Sequence, residues 1–434
     1  MLEMTGKASD PMNDQQNPTR DELREVFIGR QPILDKSQAL IGYELLFRAT
    51  TENLAHPANA AAATADVVCK AFAELGMANV FGQVRAFIKI DAEFAASDFV
   101  ELLPKDMVAL EVDATSFLDQ KLLERCLDLK QRGYAFTLSG VTDISDSLWP
   151  LIELATWIKL NLDTVPPDKL QTVTRSLATT HRRLIAAHVE SQSQMELCRL
   201  LGFDLFQGFY FARPVVVEGR KLDASTTGLL RLIRLLAEEA DLARLDDAFR
   251  VEPALVINLL RLTNSVGVGM RMHITSVRHA ITALGRNQLQ RWLHLLIFSR
   301  GATMDFERNP LLQLAALRGR FMELLVDRLH AGDSRLRDPA FLTGLMSVVP
   351  AALHMSMTDV LAQIAVDNEV RLALSHQQGP LGTLLKLIEA YDASDIDAVR
   401  AQLATFGENA PMVLLGEILA EALLWVQQLG TEAH

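Results

Sequence analysis

The periodicity of the apolar residues changes once along this chain, near residues 214–227, and that change limits the fold more than any other feature. Before it, short apolar runs alternate with helical stretches: VFIGRQPIL, IGYELLF, AFIKI, MVALEV, YAFTLSGV, TWIKLNL, RLIAAHV and DLFQGFYF, with helices expected near Ala60–Leu75 and Leu118–Gln131. Runs of this length and composition read as strands, and strands alternating with helices pack as a mostly parallel sheet. About eight strands in roughly 190 residues predict a closed (β/α)8, TIM-like barrel over residues 26–215. Beyond the change, LLRLIRLLAEEADLARLDDAF places leucines three and four apart, the spacing of a helix with one apolar face. Further helices are expected at Pro253–Thr263, Ser276–Leu284, Asn287–Phe298 and Leu311–Leu329, and onward to Leu424. Residues 227–430 therefore read as an all-α domain, joined to the barrel by a linker at 216–226. Ser276 suits an N-cap and Gly285 a C-cap. Residues 1–25, polar and with two prolines, read as a disordered tail.

Composition enters mainly by exclusion. The 434 residues carry 42 Lys and Arg against 54 Asp and Glu, a net charge of −12, so no general basic surface for nucleic acid is expected. Cys69, Cys126 and Cys198 are too scattered for a disulfide framework or a zinc site. No apolar run approaches the roughly 18 residues of a membrane span, and the N-terminal stretch lacks the apolar core of a secretion signal. A cytoplasmic chain without a membrane partner is the expectation.

In a barrel of this kind chemistry gathers at the C-terminal ends of the strands. Gln31, Glu44, Arg48, Lys89, Glu111, Asp113, Thr137, Lys159, Glu190 and Gln207 fall there. A strand-end glutamate is ordinary ion-pair material, so Glu44 and Glu111 become informative only through their surroundings. Those surroundings resemble the EAL domain family. RQPILDKSQALIGYELLFR is similar to the family's opening, with the signature read as Glu44-Leu45-Leu46-Phe47-Arg48. WIKL carries the family's lysine at Lys159, and LGFDLFQGFYFARP resembles its close, with Gln207-Gly208 and Pro214.

The resemblance spans 26–214 and implies a barrel that hydrolyses cyclic di-GMP with two Mg²⁺ or Mn²⁺ ions, which activate the attacking water. Carried over position by position, it implies a degenerate site. Glu44 is kept, but the asparagine of the next metal-binding strand falls at Lys89. Glu111 is kept, but its acidic companion is Ala114, and the paired aspartates fall at Thr137 and Leu138. The family's Glu-Gly-Val-Glu reads Ala187-His188-Val189-Glu190. The expectation is that Lys89 lies between Glu44 and Glu111 in place of a cation, that no metal or other cofactor is held, and that His188 fills vacated space. Glu44, Lys89, Glu111, Thr137, Leu138, Lys159 and Glu190 then form a vestigial site. Gln31, Arg48, Lys159 and Gln207 match nucleotide-contacting positions, so binding of cyclic di-GMP without cleavage is one alternative and active hydrolysis another.

In the helical half, residues 250–298, GLMSVVPAALHMSMTDVL at 344–361 and the later ALSHQQGPLGTLLKL resemble the HDOD domain, a helical relative of the HD metal-dependent phosphohydrolases. Those enzymes need a His-Asp dipeptide. None occurs here, and His273, His279, His294, His330, His354 and His376 are scattered. Arg271, Arg278, Arg286 and Arg291 read as solvated arginines. The resemblance implies a metal-free core and a protein-interaction output module. Taken together, the expectation is a non-catalytic signalling scaffold in a cyclic di-GMP-related pathway, binding protein partners through the HDOD half, with a homodimer implied by analogy.

Overall fold

The computed structural model of the protein describes residues 26–49, 84–115, 120–208, 210–212, 224–266, 274, 276–298, 309–329, 334–407 and 412–432. The expected tail, the expected helix near 60–75 and most of the expected linker lie outside the described residues, as do Cys69, Arg271, His273 and His330.

Eight strands close a barrel in sequence order. They are β1 (Val26–Asp35), β2 (Leu40–Ala49), β3 (Arg85–Lys89), β4 (Val108–Asp113), β5 (Ala135–Ser139), β6 (Trp157–Asn161), β7 (Arg183–Ala187) and β8 (Leu205–Gln207). Helices α1 (Ala92–Ala96), α2 (Gln120–Gln131), α3 (Trp149–Leu154), α4 (Pro167–Ala178) and α5 (Gln192–Leu200) follow β3 to β7 in turn. The start of the barrel departs from the expected βα repeat. Only residues 36–39 separate β1 from β2, too few for a crossover helix, so the two strands pair antiparallel. β1 is antiparallel to β8 as well. Asp35 ties the turn: its Oδ1 accepts from the Ser37 amide at 2.8 Å, the Ser37 hydroxyl at 2.7 Å and the Ala39 amide at 2.9 Å.

The two-residue period of a strand sorts its side chains between two layers. Ile33, Phe87, Ala109, Trp157, Ile185 and Leu205 fill the barrel interior. Phe87 and Trp157 meet edge to face there, with ring centroids 5.2 Å apart. Tyr43, Ile88, Leu110, Phe136, Leu138 and Ile158 belong to the outer layer. One step above the interior plug, the inward positions turn polar, and these form the mouth.

The helical half begins with α6 (Ala224–Ala237), three residues before the expected start. The polar Ser225-Thr226-Thr227 turn carries no apolar signal, yet it extends the helix. α7 (Leu242–Arg250), α8 (Pro253–Val266), α9 (Val277–Leu284), α10 (Arg286–Leu296) and α11 (Pro310–Leu329) follow. Then come α12 (Arg337–Met346), α13 (Val349–Leu353), α14 (Met357–Gln363), α15 (Asn368–His376), α16 (Gly379–Asp392), α17 (Ile396–Leu403) and α18 (Met412–Glu432). The caps of α9 are as expected: the Ser276 hydroxyl accepts from the His279 amide at 3.2 Å, and Gly285 ends the helix at φ 77°. Among the described residues, no single helix is long and apolar enough to cross a membrane.

Two features hold the helical core together. At the α11–α12 crossing the backbones nearly touch: a Cβ on Gly344 would lie 2.4 Å from the Arg318 carbonyl oxygen, and one on Gly319 would lie 3.1 Å from the Phe341 ring. Beside that crossing, buried Glu323 is met by the guanidinium groups of Arg291 at 2.8 Å, Arg320 at 2.8 Å and Arg337 at 3.2 Å. The expected solvated arginines are thus dispersed among separate partners. Arg291 serves Glu323 and Asp338, Arg278 faces Asp246 at 3.6 Å, and Arg286 donates to the Ala240 carbonyl.

His294 is 1% exposed, and its Nδ1 lies 2.7 Å from the Gln290 carbonyl oxygen. A carbonyl only accepts, so Nδ1 carries the proton. Burial pushes this imidazole from the ordinary 6.5 down to about 4. The unfolded chain therefore binds the extra proton first. Its share of stability is whole above pH 6.5 and drains away as pH falls towards 4, by about 3 kcal/mol in all. Urea unfolding across that range should show the loss, and His294→Asn, which does not titrate, should flatten it. Gly344→Ala should wedge α12 away from α11 and cost about 1–3 kcal/mol in the same measurement.

Candidate functional site at the barrel mouth

The mouth is built by residues two positions from the interior plug on their own strands, which the ladder sets side by side. Gln31 faces Glu44 across β1 and β2, and Glu111 stands between Lys89 and Thr137 across β3, β4 and β5. At its centre is one amine. Lys159 Nζ lies 2.8 Å from Glu44 Oε1 and also contacts Glu111 Oε2. Exposure is 6% for Lys159, 6% for Glu44 and 2% for Glu111, so the three charges are out of solvent. Gln207 at the end of β8 closes one side, its Nε2 donating to Glu44 Oε2 and, at 2.7 Å, to Gln31 Oε1. Gly208 makes this approach feasible: at φ 150°, a Cβ there would lie 2.0 Å from the Val189 carbonyl oxygen. Thr137 and Ser139 of β5 line the opposite side, both buried. Thr137 Oγ1 and Gln207 Oε1 are buried without a hydrogen-bond partner.

The two carboxylates respond differently to the shared ammonium. Burial alone would raise Glu44, but the charge and hydrogen bond of Lys159, helped by Gln207, carry it below the usual carboxylate range. For Glu111, burial wins over Lys159 and the nearby Glu44 charge adds to it, so that carboxyl sits above its usual range. Burial would lower Lys159, yet Glu111 and Glu44 together hold it above the usual lysine range. A single ammonium between two carboxylates leaves one negative charge over, and Glu111 is the member that takes up a proton first.

Several sequence expectations are corrected by this geometry. Lys89 does not lie between Glu44 and Glu111; Lys159 does. Lys89 stands at the rim, its side chain 55% exposed, and pairs with Asp113 Oδ2 at 3.4 Å. Asp113, two residues beyond Glu111 on the same strand face, is nearer to solvent and draws the flexible amine outward. Burial would raise Asp113, but hydrogen bonds from the Thr115 hydroxyl at 2.7 Å and amide at 3.0 Å, with Lys89, bring it below its usual range. Leu138 is not part of the mouth: its neighbour Thr137 faces in, so Leu138 faces the helices. His188 fills no vacated space. It adopts φ 62°, and its Nδ1 lies 2.6 Å from Asp163 Oδ2, with both side chains about half exposed. Ala187 ends β7 beside Asn161. Glu190 is exposed on the turn into α5, where its amide donates to Gln194 Oε1 at 2.8 Å. Arg48 is on β2 opposite Phe27, and its side chain lies outside the described residues.

Gln31, Glu44, Glu111, Thr137, Lys159 and Gln207 are thus brought together. Ser139 was missed, although it is two residues past Thr137 and shares its face, a parity the sequence does display. Asp163, the partner of His188, carries no comparable signal. Lys159→Met would leave two facing buried carboxylates without a counter-charge and should cost about 3–5 kcal/mol in urea unfolding near neutral pH. Adding Glu44→Gln and Glu111→Gln to that variant should restore most of the loss.

Comparison with known proteins agrees with the architecture. Residues 15–214 match the EAL domain family and residues 225–374 the HDOD domain family. A Vibrio cholerae protein named cyclic di-GMP phosphodiesterase CdgJ is 28% identical over 422 residues, spanning 95% of both chains. The Bacillus subtilis protein YuxH, described as uncharacterized, is 24% identical over 411 residues, 93% of this chain and 98% of its own. Among solved structures, the PaMucR phosphodiesterase in complex with c-di-GMP aligns with 46% of this chain and 98% of its own, at 20% identity and a TM-score of 0.37. With one family matched by the barrel and the other by the helices that follow it, the chain belongs to the two-domain proteins that join an EAL domain to an HDOD domain.

Proposed function

We propose that this protein is a non-hydrolytic signalling component of a cyclic di-GMP-related pathway, with a barrel kept as scaffold and a helical half that engages protein partners. The observation that carries the proposal is the Lys159 ammonium seated between Glu44 and Glu111 while Thr137 stands beside them with an uncharged hydroxyl. An EAL phosphodiesterase site calls for two divalent cations bridged by carboxylates, and Mg²⁺ in particular demands near-octahedral oxygen ligation. The donors at this mouth are two carboxylates already sharing one ammonium, two hydroxyls and two amides. Among the described residues, no group of three or more His, Cys, Asp or Glu side chains is placed to hold a metal ion. Two cations would have to displace the ammonium and then share two carboxylates, so the donor set does not suit the pair.

The opposite reading, active hydrolysis, rests on the Vibrio relative, whose name states a cyclic di-GMP phosphodiesterase. Binding without cleavage is favoured by the half-exposed Lys89 ammonium at the rim, a group that can meet a phosphate. Incubating the full chain with cyclic di-GMP and Mg²⁺ or Mn²⁺ should yield no linear dinucleotide. Linear product that disappears on Glu44→Gln would overturn the proposal. Calorimetry with cyclic di-GMP, without metal, separates a silent scaffold from a receptor: heat that saturates at micromolar ligand and weakens about tenfold or more in Lys89→Ala marks the receptor.

A further inference from the structure

The outer face of β1 and β2 is covered in an unusual way. Along the described barrel, helices follow β3 to β7, but β1 and β2 are joined by a turn and have no helix between them. Pro32 and Tyr43 on this face are nevertheless buried, and the helical half lies on them. Tyr43 is 5% exposed, and its hydroxyl donates to Gln313 Oε1 of α11 at 2.6 Å. The Arg30 guanidinium lies 4.3 Å from the centre of the Tyr43 ring. Pro32, Phe211, Leu314, Leu317, Tyr391 and Leu419 pack around that pair, leaving a cavity of only about 30 Å³. Both α16 and α18 touch β1, and Arg318 of α11 donates to Asp392 at the end of α16 at 2.7 Å. Helices and hairpin therefore meet as a filled joint.

The same two strands hold the mouth with their other face. Gln31 follows Arg30, and Glu44 follows Tyr43, so each strand places one mouth residue and one joint residue on opposite sides of a single peptide unit. We propose that the outer face of β1–β2 is the docking surface for the chain's own helical half, and that these strands carry the state of the barrel mouth to α11. The physical route is short. Glu44 is held by Lys159 at 2.8 Å and by Gln207. A change that alters either tether moves the Glu44 backbone, and Tyr43 cannot stay behind, since a peptide unit is rigid. A hydrogen bond of 2.6 Å in a joint with little free volume is sensitive to shifts of a few tenths of an ångström. The packed joint then answers by rearranging as a unit.

This coupling deepens the signalling proposal by naming what links barrel to output, and it holds whether or not the mouth cleaves or binds a nucleotide. Its test needs no ligand, so its failure is distinct from that of the proposed function. Hydrogen–deuterium exchange of the full chain should be followed by mass spectrometry over peptides of α11. Glu44→Gln leaves Glu111 to neutralise Lys159 and should speed exchange near Gln313 by about two- to thirtyfold, the range expected for coupling through packed contacts. In a Tyr43→Phe background, which keeps the ring against Arg30 but loses the hydroxyl, the same substitution should leave α11 unchanged. The proposal is overturned if Glu44→Gln alters exchange in β2 and β8 but not in α11, or if Tyr43→Phe leaves the effect on α11 intact. Should Glu44→Gln not fold, Gln207→Leu perturbs the same carboxylate from its other side and is read in the same way.

Discussion

The buried contact of one ammonium with two carboxylates is the constraint around which the barrel is arranged. Placing three charges where water does not reach is costly, and the geometry offsets that cost only because Lys159, Glu44 and Glu111 come from β6, β2 and β4 and converge at one point. Removing Lys159 leaves two buried carboxylates without a counter-charge at contact distance. Gln207 and Gln31 extend the network to β8 and β1, so a single cluster of polar side chains touches strands from both sides of the closure. The apolar plug beneath it, with Phe87 against Trp157, excludes water from below and makes the electrostatics stronger.

Because Gln31 and Glu44 lie on an antiparallel hairpin closed by residues 36–39, the network reaches the outward face of β1 and β2. The helical half occupies that surface. Its own rigidity comes from two local devices of different kinds. One is steric: Gly319 and Gly344 let α11 and α12 approach to backbone contact. The other is electrostatic: Glu323 gathers three guanidinium groups beside the same crossing. α11 therefore presents Gln313 to Tyr43 from a stiff support, and a stiff support transmits a displacement where a loose one would absorb it.

Much of the architecture was legible in the residues. Each expected strand is present within a few positions, because apolar runs bounded by polar turns are a local signal. Ser276 and Gly285 cap α9 as their chemistry suggests. The antiparallel hairpin was legible too, in hindsight, from the four residues that separate β1 and β2. The site was legible only in part. Leu138 belongs outside by the same parity that puts Thr137 inside, and Ser139 belongs with Thr137. His188 was misjudged because its left-handed backbone turns the ring towards Asp163 at the rim, and nothing in the neighbouring residues announces that conformation.

By itself, the sequence determined the order of strands, the switch to helices, the kinship of both halves and the set of charged residues available to the mouth, since all of these follow from local spacing or residue type. Only the tertiary structure decided which amine enters. Lys89 and Lys159 both lie in short, mostly apolar strands, and a one-dimensional pattern cannot rank them. Lys89 is next to Glu111 in the ladder yet turns to solvent and Asp113, whereas Lys159 reaches Glu44 and Glu111 from across the barrel. The reason is that burial and distance across a closed sheet depend on how all eight strands meet, and no segment carries that information alone.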